Sequence, residues 1–297
     1  MDKGRILVTG SSGFIGSHTA RLALARGYTV TGLDTAESIV PGIDAVSGDI
    51  RDRDTVSEAM KGADYVIHLA AVTVGQEFEK DPKACYSVNV SGFMNVLDAA
   101  CRQGVKKFVY ASTAYVYQDE FKEDTVIDIA KQRNHYAKSK IINEMLAKSY
   151  GDIYDTSIMG LRFFNVYGEG EKTKGPYTSI ITKFLECDQK GEPLELYGDG
   201  TQAKDMVNVE DASKIALALM QKGKHSIYNV GTGRPIPYKE IAELINPSNI
   251  KYVPNPLSTY QYYTKADTAR LLDTLHGYEF IDTREWIKKH KGPRYAH

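Results

Sequence analysis

Near the amino end an apolar run, Arg5-Ile-Leu-Val-Thr9, breaks on Gly10 and is followed by glycines at positions 13 and 16. The run reads as a strand, the glycines as a tight turn and Phe14 onward as the start of a helix, which leaves the chain little choice of architecture around it. Gly10 lets the backbone reverse, Gly13 lets N–H groups approach a ligand with no Cβ in the way, and Gly16 lets the helix pack on the strand. The first turn of that helix offers unpaired donors and a partial positive charge, which suit a pyrophosphate held along Gly10, Gly13, Phe14, Ile15 and Gly16. The spacing is GxxGxxG and not GxGxxG, and by spacing alone a plain turn would serve as well. A strand before it and a helix after it favour a dinucleotide site.

Ser17 to Arg26 continues at helical spacing and stops at Gly27, and Tyr28-Thr-Val-Thr-Gly-Leu-Asp34 is a second strand that ends on an acid. Asp34 lies 21 residues past Gly13, where a carboxylate can accept hydrogen bonds from an adenosine ribose. Its followers Thr35, Ala36 and Glu37 supply no cation for a 2′-phosphate, which favours NAD over NADP. A strand-end Asp that only caps a turn is the alternative.

The alternation persists. Strands are expected at 45–47, 65–71, 107–112 and 157–163, with helices at 54–60, 86–103 and 135–150 between them. About 165 residues of βα units imply right-handed crossovers and a doubly wound parallel sheet of the Rossmann kind. Beyond it the pattern loosens. A helix at 177–187 and a strand at 194–197 read as an insert, 207–209, 211–220 and 227–230 as a return to the sheet domain, and 238–257 as a return to the insert. The expected division is a sheet domain of residues 1–166 and 205–230 and a smaller discontinuous α/β substrate-binding lobe of 167–204 and 231–297.

With 37 basic and 38 acidic residues the net charge is -1, so nothing favours nucleic acid or an anionic membrane. Cys85, Cys101 and Cys187 are far apart, with no CxxC pair and no His cluster for zinc; buried thiols are the simplest reading and no metal is expected. The short polar start has neither a signal peptide's flanks nor its apolar length, so the cytoplasm is the expected setting. His68, inside an apolar strand, reads as a satisfied core histidine.

One pair carries chemistry. Tyr136 and Lys140 stand four apart in the only YxxxK of a chain with 20 tyrosines, on one face of a helix. A neighbouring ammonium and a cationic nicotinamide both favour the phenolate, so two or three units of depression would make Tyr136 a base near neutrality. The motif alone is weak, since a solvated helix face shows it as often, but it follows the fifth strand, whose end carries Ser112 and Thr113. Ligands sit at the carboxyl ends of such strands. A hydroxyl there can bond a substrate hydroxyl and relay its proton to Tyr136.

Taken together these segments resemble the extended short-chain dehydrogenases of the NAD-dependent epimerase/dehydratase family, from about residue 5 to about 275. Thr9-Gly-Ser-Ser-Gly-Phe-Ile-Gly-Ser-His18 is similar to that family's cofactor loop, Gly48-Asp49-Ile50 to its adenine-side segment, and His68-Leu69-Ala70-Ala71 and Asn89-Val-Ser-Gly92 to further cofactor-side motifs. The resemblance implies Thr113 and Tyr136 as catalytic hydroxyls, with Lys140 holding the nicotinamide ribose. Leu161-Arg-Phe-Phe-Asn165-Val-Tyr-Gly168 and Tyr197 to Asp205 resemble its nucleotide-sugar segments, with Asn165 and Lys204 near the diphosphate. Arg270 is a further phosphate ligand or a solvated helix arginine.

Such a site implies a nucleotide-diphosphate sugar whose C4 is inverted through a transient 4-keto form, of the UDP-glucose/UDP-galactose or UDP-hexuronate type. Dehydratases of the family carry an acid pair after the strand-five threonine and decarboxylases a Glu, where this chain has Ala114 and Tyr115. Lys204 stands where the family shows Arg, Glu169 replaces a common proline and Gln118 a common glycine. The stretch 255–267 is partly similar to hexuronate and ADP-heptose epimerases, which keeps an ADP-heptose-type epimerase, or another dehydratase or reductase of the family, as alternatives. A non-catalytic NAD-binding sensor or scaffold is the alternative of another class. The resemblance also implies a homodimer through a four-helix bundle made by helices 86–103 and 135–150.

Overall fold

The computed structural model describes residues 3–118, 120–224, 226–255 and 261–292. The first half runs β1 (Arg5–Thr9), α1 (Phe14–Ala25), β2 (Thr29–Asp34), β3 (Asp44–Ser47), α2 (Arg53–Ala59), β4 (Tyr65–His68), α3 (Gly75–Lys80), α4 (Pro82–Tyr86), α5 (Phe93–Arg102), β5 (Lys107–Thr113), α6 (His135–Gly151) and β6 (Ser157–Phe163). It continues through β7 (Asn165–Tyr167), α7 (Ile180–Lys190), β8 (Leu194–Tyr197), β9 (Ala203–Lys204), β10 (Met206–Asn208), α8 (Val209–Lys222) and β11 (Ile227–Val230). The last elements are β12 (Ile236–Pro237), α9 (Tyr238–Ile245), β13 (Ile250–Val253), α10 (Ala269–Leu275) and α11 (Thr283–His290).

Seven strands make one sheet in the order β11-β6-β5-β4-β1-β2-β3, every neighbouring pair parallel, so the doubly wound α/β fold expected from the alternation is the one observed. The chain leaves β1 outward to β3 and returns to β4 on the other side, which opens a crevice between the carboxyl ends of β1 and β4. Side chains alternate across the sheet. Ile6 and Val8 join Ala20 and Ala23 of α1 and Ile215 and Leu219 of α8 on one face. Leu7 joins Phe93, Val96 and Leu97 of α5 with Phe108 on the other. A third cluster gathers Ile181, Phe184 and Leu185 of α7, Leu194 and Leu196 of β8, Ile241 of α9 and Trp286 of α11.

Four local expectations shift. The helix expected over 86–103 is three pieces: α4, a π-helical turn at Ser87–Gly92, then α5. The strand expected over 65–71 ends at His68, because Leu69 N bonds the Thr9 carbonyl and Ala70 N the Thr9 hydroxyl, which turns 69–71 across the end of β1. Met206–Asn208 pairs with β7 in a separate two-stranded sheet and not with the main one. The helix expected at 177–187 begins instead at Ile180, capped by Ser179, after a 3-10 segment at Glu171–Tyr177. Parts of the 255–267 stretch and of the 231–297 segment, namely residues 256–260 and 293–297, lie outside the described residues.

Candidate active site

A cavity of about 1150 Å³ lies along the carboxyl ends of the strands, from the glycine turn past β4 and β5 to α7 and β8. Its walls include Gly10, Gly13, Phe14, Ile15, Gly16, Leu69, Ala71, Ser112, Thr113, Tyr136, Lys140 and Asn165. Those twelve of the sequence-derived candidates, spread over 155 residues of chain, are brought together by the parallel sheet.

The glycine turn tolerates no Cβ at two of its three positions. Gly10 has φ +70°, and a Cβ there would come within 2.7 Å of Ala70 N; one on Gly16 would lie 1.9 Å from the Gly10 carbonyl oxygen. Gly16 therefore packs α1 onto the turn itself and not onto the strand. Asp34 lies beside the turn, accepting Ser12 N–H at 2.9 Å and Ala36 N–H at 2.9 Å. The Ser12 hydroxyl, on the cavity wall, is buried with no hydrogen-bond partner among the described residues. An orphaned hydroxyl, a bare helix start without a side-chain cap and a carboxylate with spare lone pairs fit a dinucleotide, phosphates on the turn and ribose on Asp34.

Thr113, 5 % exposed at the end of β5, lines the cavity together with Tyr136 at the start of α6. The shift expected from the motif is downward; in the folded protein burial pushes the phenol up to about 12, with the nearby Thr113 hydroxyl working in the other direction. Lys140, one turn on and 1 % exposed, holds its Nζ 5.9 Å from the centre of the Tyr136 ring, and burial pulls its ammonium down to about 8. Asn134 caps this helix by accepting Ala137 N–H at 3.0 Å, which fixes where Tyr136 leaves the loop.

Ser112 does not fit the relay drawn from the sequence. Its hydroxyl donates to Glu144 Oε1 at 2.5 Å, and Arg162 closes on the same carboxylate through Nε at 2.9 Å and Nη2 at 2.7 Å. Its single proton is therefore committed away from Tyr136, which leaves Thr113 as the cavity-wall hydroxyl whose proton is uncommitted to Glu144. Glu144, one turn past Lys140, is a residue the motif reading missed, although its i+4 spacing was visible.

Other candidates sit apart from this cavity. Ala70 lies beneath Gly10. Asn89 is 1 % exposed, its amide clamped on Val72 N and O, both at 2.8 Å, and on Ser139 Oγ at 3.1 Å, so it braces the wall from behind. Asp49 is gripped by the Arg51 guanidinium, which holds its carboxyl below the usual range, while Ile50 packs against Gly92. Lys204 is buried with Nζ on the Gln261 carbonyl, and burial lowers it to about 8. Arg270 is paired with Asp124 at 2.6 Å and bonds the Ile227 carbonyl, lining a smaller surface cavity with Glu120 and Glu123. His68 is a core residue, stacked on Phe108 and bonded to Thr9 Oγ1 at 2.8 Å; burial takes it down to about 3.

Missed on the far wall is Lys174, whose Nζ lies 4.4 Å over the Phe14 ring. It also meets Glu171, a buried carboxylate that accepts Ser179 N–H at 2.6 Å and so anchors the start of α7. No periodicity marks either residue. Among the described residues no cluster of three or more His, Cys, Asp or Glu could hold a metal ion, and no helix is long and apolar enough to cross a membrane.

The comparisons agree with this geometry. A sequence model of the NAD dependent epimerase/dehydratase family matches residues 6–231. The chain is 32% identical over 259 residues to the UDP-N-acetyl-alpha-D-glucosaminuronate decarboxylase of Bacillus cytotoxicus, covering 82% of this chain and 80% of that one. It is 31% identical over 290 residues to the ADP-L-glycero-D-manno-heptose-6-epimerase of Alkalilimnicola ehrlichii, 90% of each chain. The crystal structure of Thermus thermophilus UDP-glucose 4-epimerase in complex with NAD superposes with a TM-score of 0.82 at 30% identity, over 96% of each chain. With its glycine turn, acidic second strand and Tyr–Lys helix converging on one crevice, the chain belongs to the NAD-dependent epimerase/dehydratase family, and NAD is its cofactor.

Proposed function

We propose that the protein is an epimerase that inverts C4 of a nucleotide-diphosphate sugar, of the UDP-glucose/UDP-galactose or UDP-hexuronate type, through a transient 4-keto sugar. The single observation that carries this reading is the convergence of Thr113, Tyr136 and Lys140 on one wall of the crevice that fits NAD, with Lys140 Nζ 5.9 Å from the centre of the Tyr136 ring. NAD, held on the glycine turn and Asp34, would supply a hydride acceptor and donor for the sugar's C4. Tyr136 takes the proton of the C4 hydroxyl and gives it back after the ketone has turned over; Thr113 orients the phenol and the sugar hydroxyl; Lys140 supplies the positive charge that makes phenolate accessible. Ala114, buried at 5 %, and Tyr115 stand where a dehydratase or decarboxylase needs a carboxyl acid, which supports simple inversion.

The lobe of 167–204 and 231–297 supplies the nucleotide side, with Asn165 at the boundary. Lys204 and Arg270 would reach a diphosphate only after leaving Gln261 and Asp124, so the phosphate role proposed for them requires rearrangement. The relative named for ADP-heptose supports a C6 epimerase as the second reading. We further propose a homodimer through α5 and α6, and the cytoplasm as its setting, where the three free cysteines stay reduced. Incubation with UDP-glucose, UDP-glucuronate, UDP-N-acetylglucosamine and ADP-heptose, followed by NMR of the sugar ring, should yield a C4 epimer of one UDP sugar. A C6 epimer would select the heptose reading, and no turnover of any sugar by NAD-loaded protein would favour a non-catalytic binding protein. Tyr136→Phe should abolish turnover with NAD still bound; retained activity would refute the assignment.

A further inference from the structure

Behind Lys140 lies a buried polar group for which the proposed chemistry has no direct use. β5 and β6 run in register with Ser112 opposite Arg162, and α6 crosses above that pair. Tyr136, Lys140 and Glu144 fall on one stripe of this helix at intervals of four. Glu144 reaches down to both strands, accepting the Ser112 hydrogen bond on Oε1 and the Arg162 fork on both oxygens. Arg162 is 3 % exposed, with its Cζ 4.7 Å over the Tyr117 ring and Nη1 near the Glu123 carbonyl. A carboxylate gripped this way has lone pairs only, so the Ser112 hydrogen points at Glu144, and the hydroxyl of this cavity-lining residue is left to act as an acceptor.

We propose that Glu144 is a positioning residue of the active site, locking Ser112 as a hydrogen-bond acceptor toward the bound ligand and setting a fixed negative charge one turn from Lys140. The proposal rests on the reading of Tyr136 and Lys140 as the working pair. Of the charged and titratable groups on the surrounding elements, His68 on β4 and Glu144 act on Lys140. Tyr110 on β5 and Arg162 on β6 face Glu144, Asp98 on α5 bonds Arg102 and Tyr150, Tyr115 faces Tyr136, Glu77 on α3 acts on Cys85, and the π-helical turn brings none. His68 is neutral, so the negative partner of Lys140 is Glu144, which favours its charged form.

The test is Glu144→Gln in the NAD-loaded enzyme, read by kcat against pH, bound NAD and melting temperature. Loss of the negative charge lets Lys140 give up its proton at lower pH, so the alkaline limb of kcat should move acidward by about one unit and kcat at pH 7.5 should fall about threefold with NAD retained. A uniform fall in activity with the limb unmoved would assign Glu144 a structural role only and overturn the proposal. Should Glu144→Gln fail to fold, Ser112→Ala and Glu144→Asp carry the test, since both cut the serine hydrogen bond and keep the charge. Each should lower kcat about tenfold with the limb in place; wild-type kcat in Ser112→Ala, or a displaced limb in Glu144→Asp, overturns it. Tyr136→Phe, run alongside, separates the two failures: an active Phe variant defeats the base assignment, an inactive one leaves Glu144 to be judged by its own limb.

Discussion

Replacing Lys140 by Met keeps the length and burial of the side chain and removes its charge. The Nζ lies 5.9 Å from the Tyr136 ring centre. At an effective dielectric of about 20 a unit charge at that distance is worth about 2.8 kcal/mol, or about two pK units of phenol acidity. Burial has taken the same phenol to about 12 from an ordinary 10 with Lys140 in place, so removing the ammonium puts the phenolate further out of reach. Without the ammonium the phenolate fraction at a fixed neutral pH drops about 100-fold, and kcat should drop with it. Because Lys140 itself discharges near pH 8, its help is present below that pH and fades above it. The wild-type profile should therefore flatten above about pH 8, while Lys140→Met should start about 100-fold lower at pH 7 and keep climbing. The assay is kcat from pH 6 to 10 on the sugar that turns over, with bound NAD measured in the same samples. A Met variant within threefold of wild type at pH 7 with NAD bound, or one whose profile flattens at the same pH, would refute the electrostatic role.

Three other outcomes follow from the same physics. His68, neutral in the fold with its pKa depressed to about 3, contributes stability that is present above about pH 6.5 and is lost as the pH falls toward 3, by about 4–5 kcal/mol in full; urea midpoints from pH 7 to 4 should fall in wild type and flatten in His68→Gln. Asp205 is wholly buried and accepts Thr232 N and Oγ1, both at 2.7 Å, on one oxygen and Gly233 N and Ala266 N, at 2.8 and 2.9 Å, on the other, tying the ends of three segments. Asp205→Asn turns an NH₂ onto two donors and should cost about 3–5 kcal/mol, near 10 °C in Tm, so a shift under 2 °C by calorimetry would contradict this account. Met145, 61 % exposed on α6, belongs to the proposed dimer face; sedimentation should show Met145→Glu as a monomer, and an unchanged species would move the interface elsewhere.

What the chain settles by itself is local. Gly10 and Gly16 announce the turn because only glycine leaves room there, Asp34 lies at the end of its own strand, and Tyr136 and Lys140 share a face because a helix repeats every 3.6 residues. The alternation of strands and helices was enough for the doubly wound sheet, since parallel neighbours require such crossovers. Tertiary structure decided what periodicity does not encode. Ser112 meets Arg162 through the β5–β6 register, and Glu144 then accepts the serine hydrogen bond, so Ser112 cannot donate toward Tyr136. The amide of Asn89 could equally have faced the cavity, but the unpaired backbone of Val72 claims it. Lys204 and Arg270 are drawn to a carbonyl and to a carboxylate supplied by distant segments. The direction of the Tyr136 shift depends on how much water the fold removes from around the ring, a quantity set by the packing of the whole crevice and not by any neighbour in sequence.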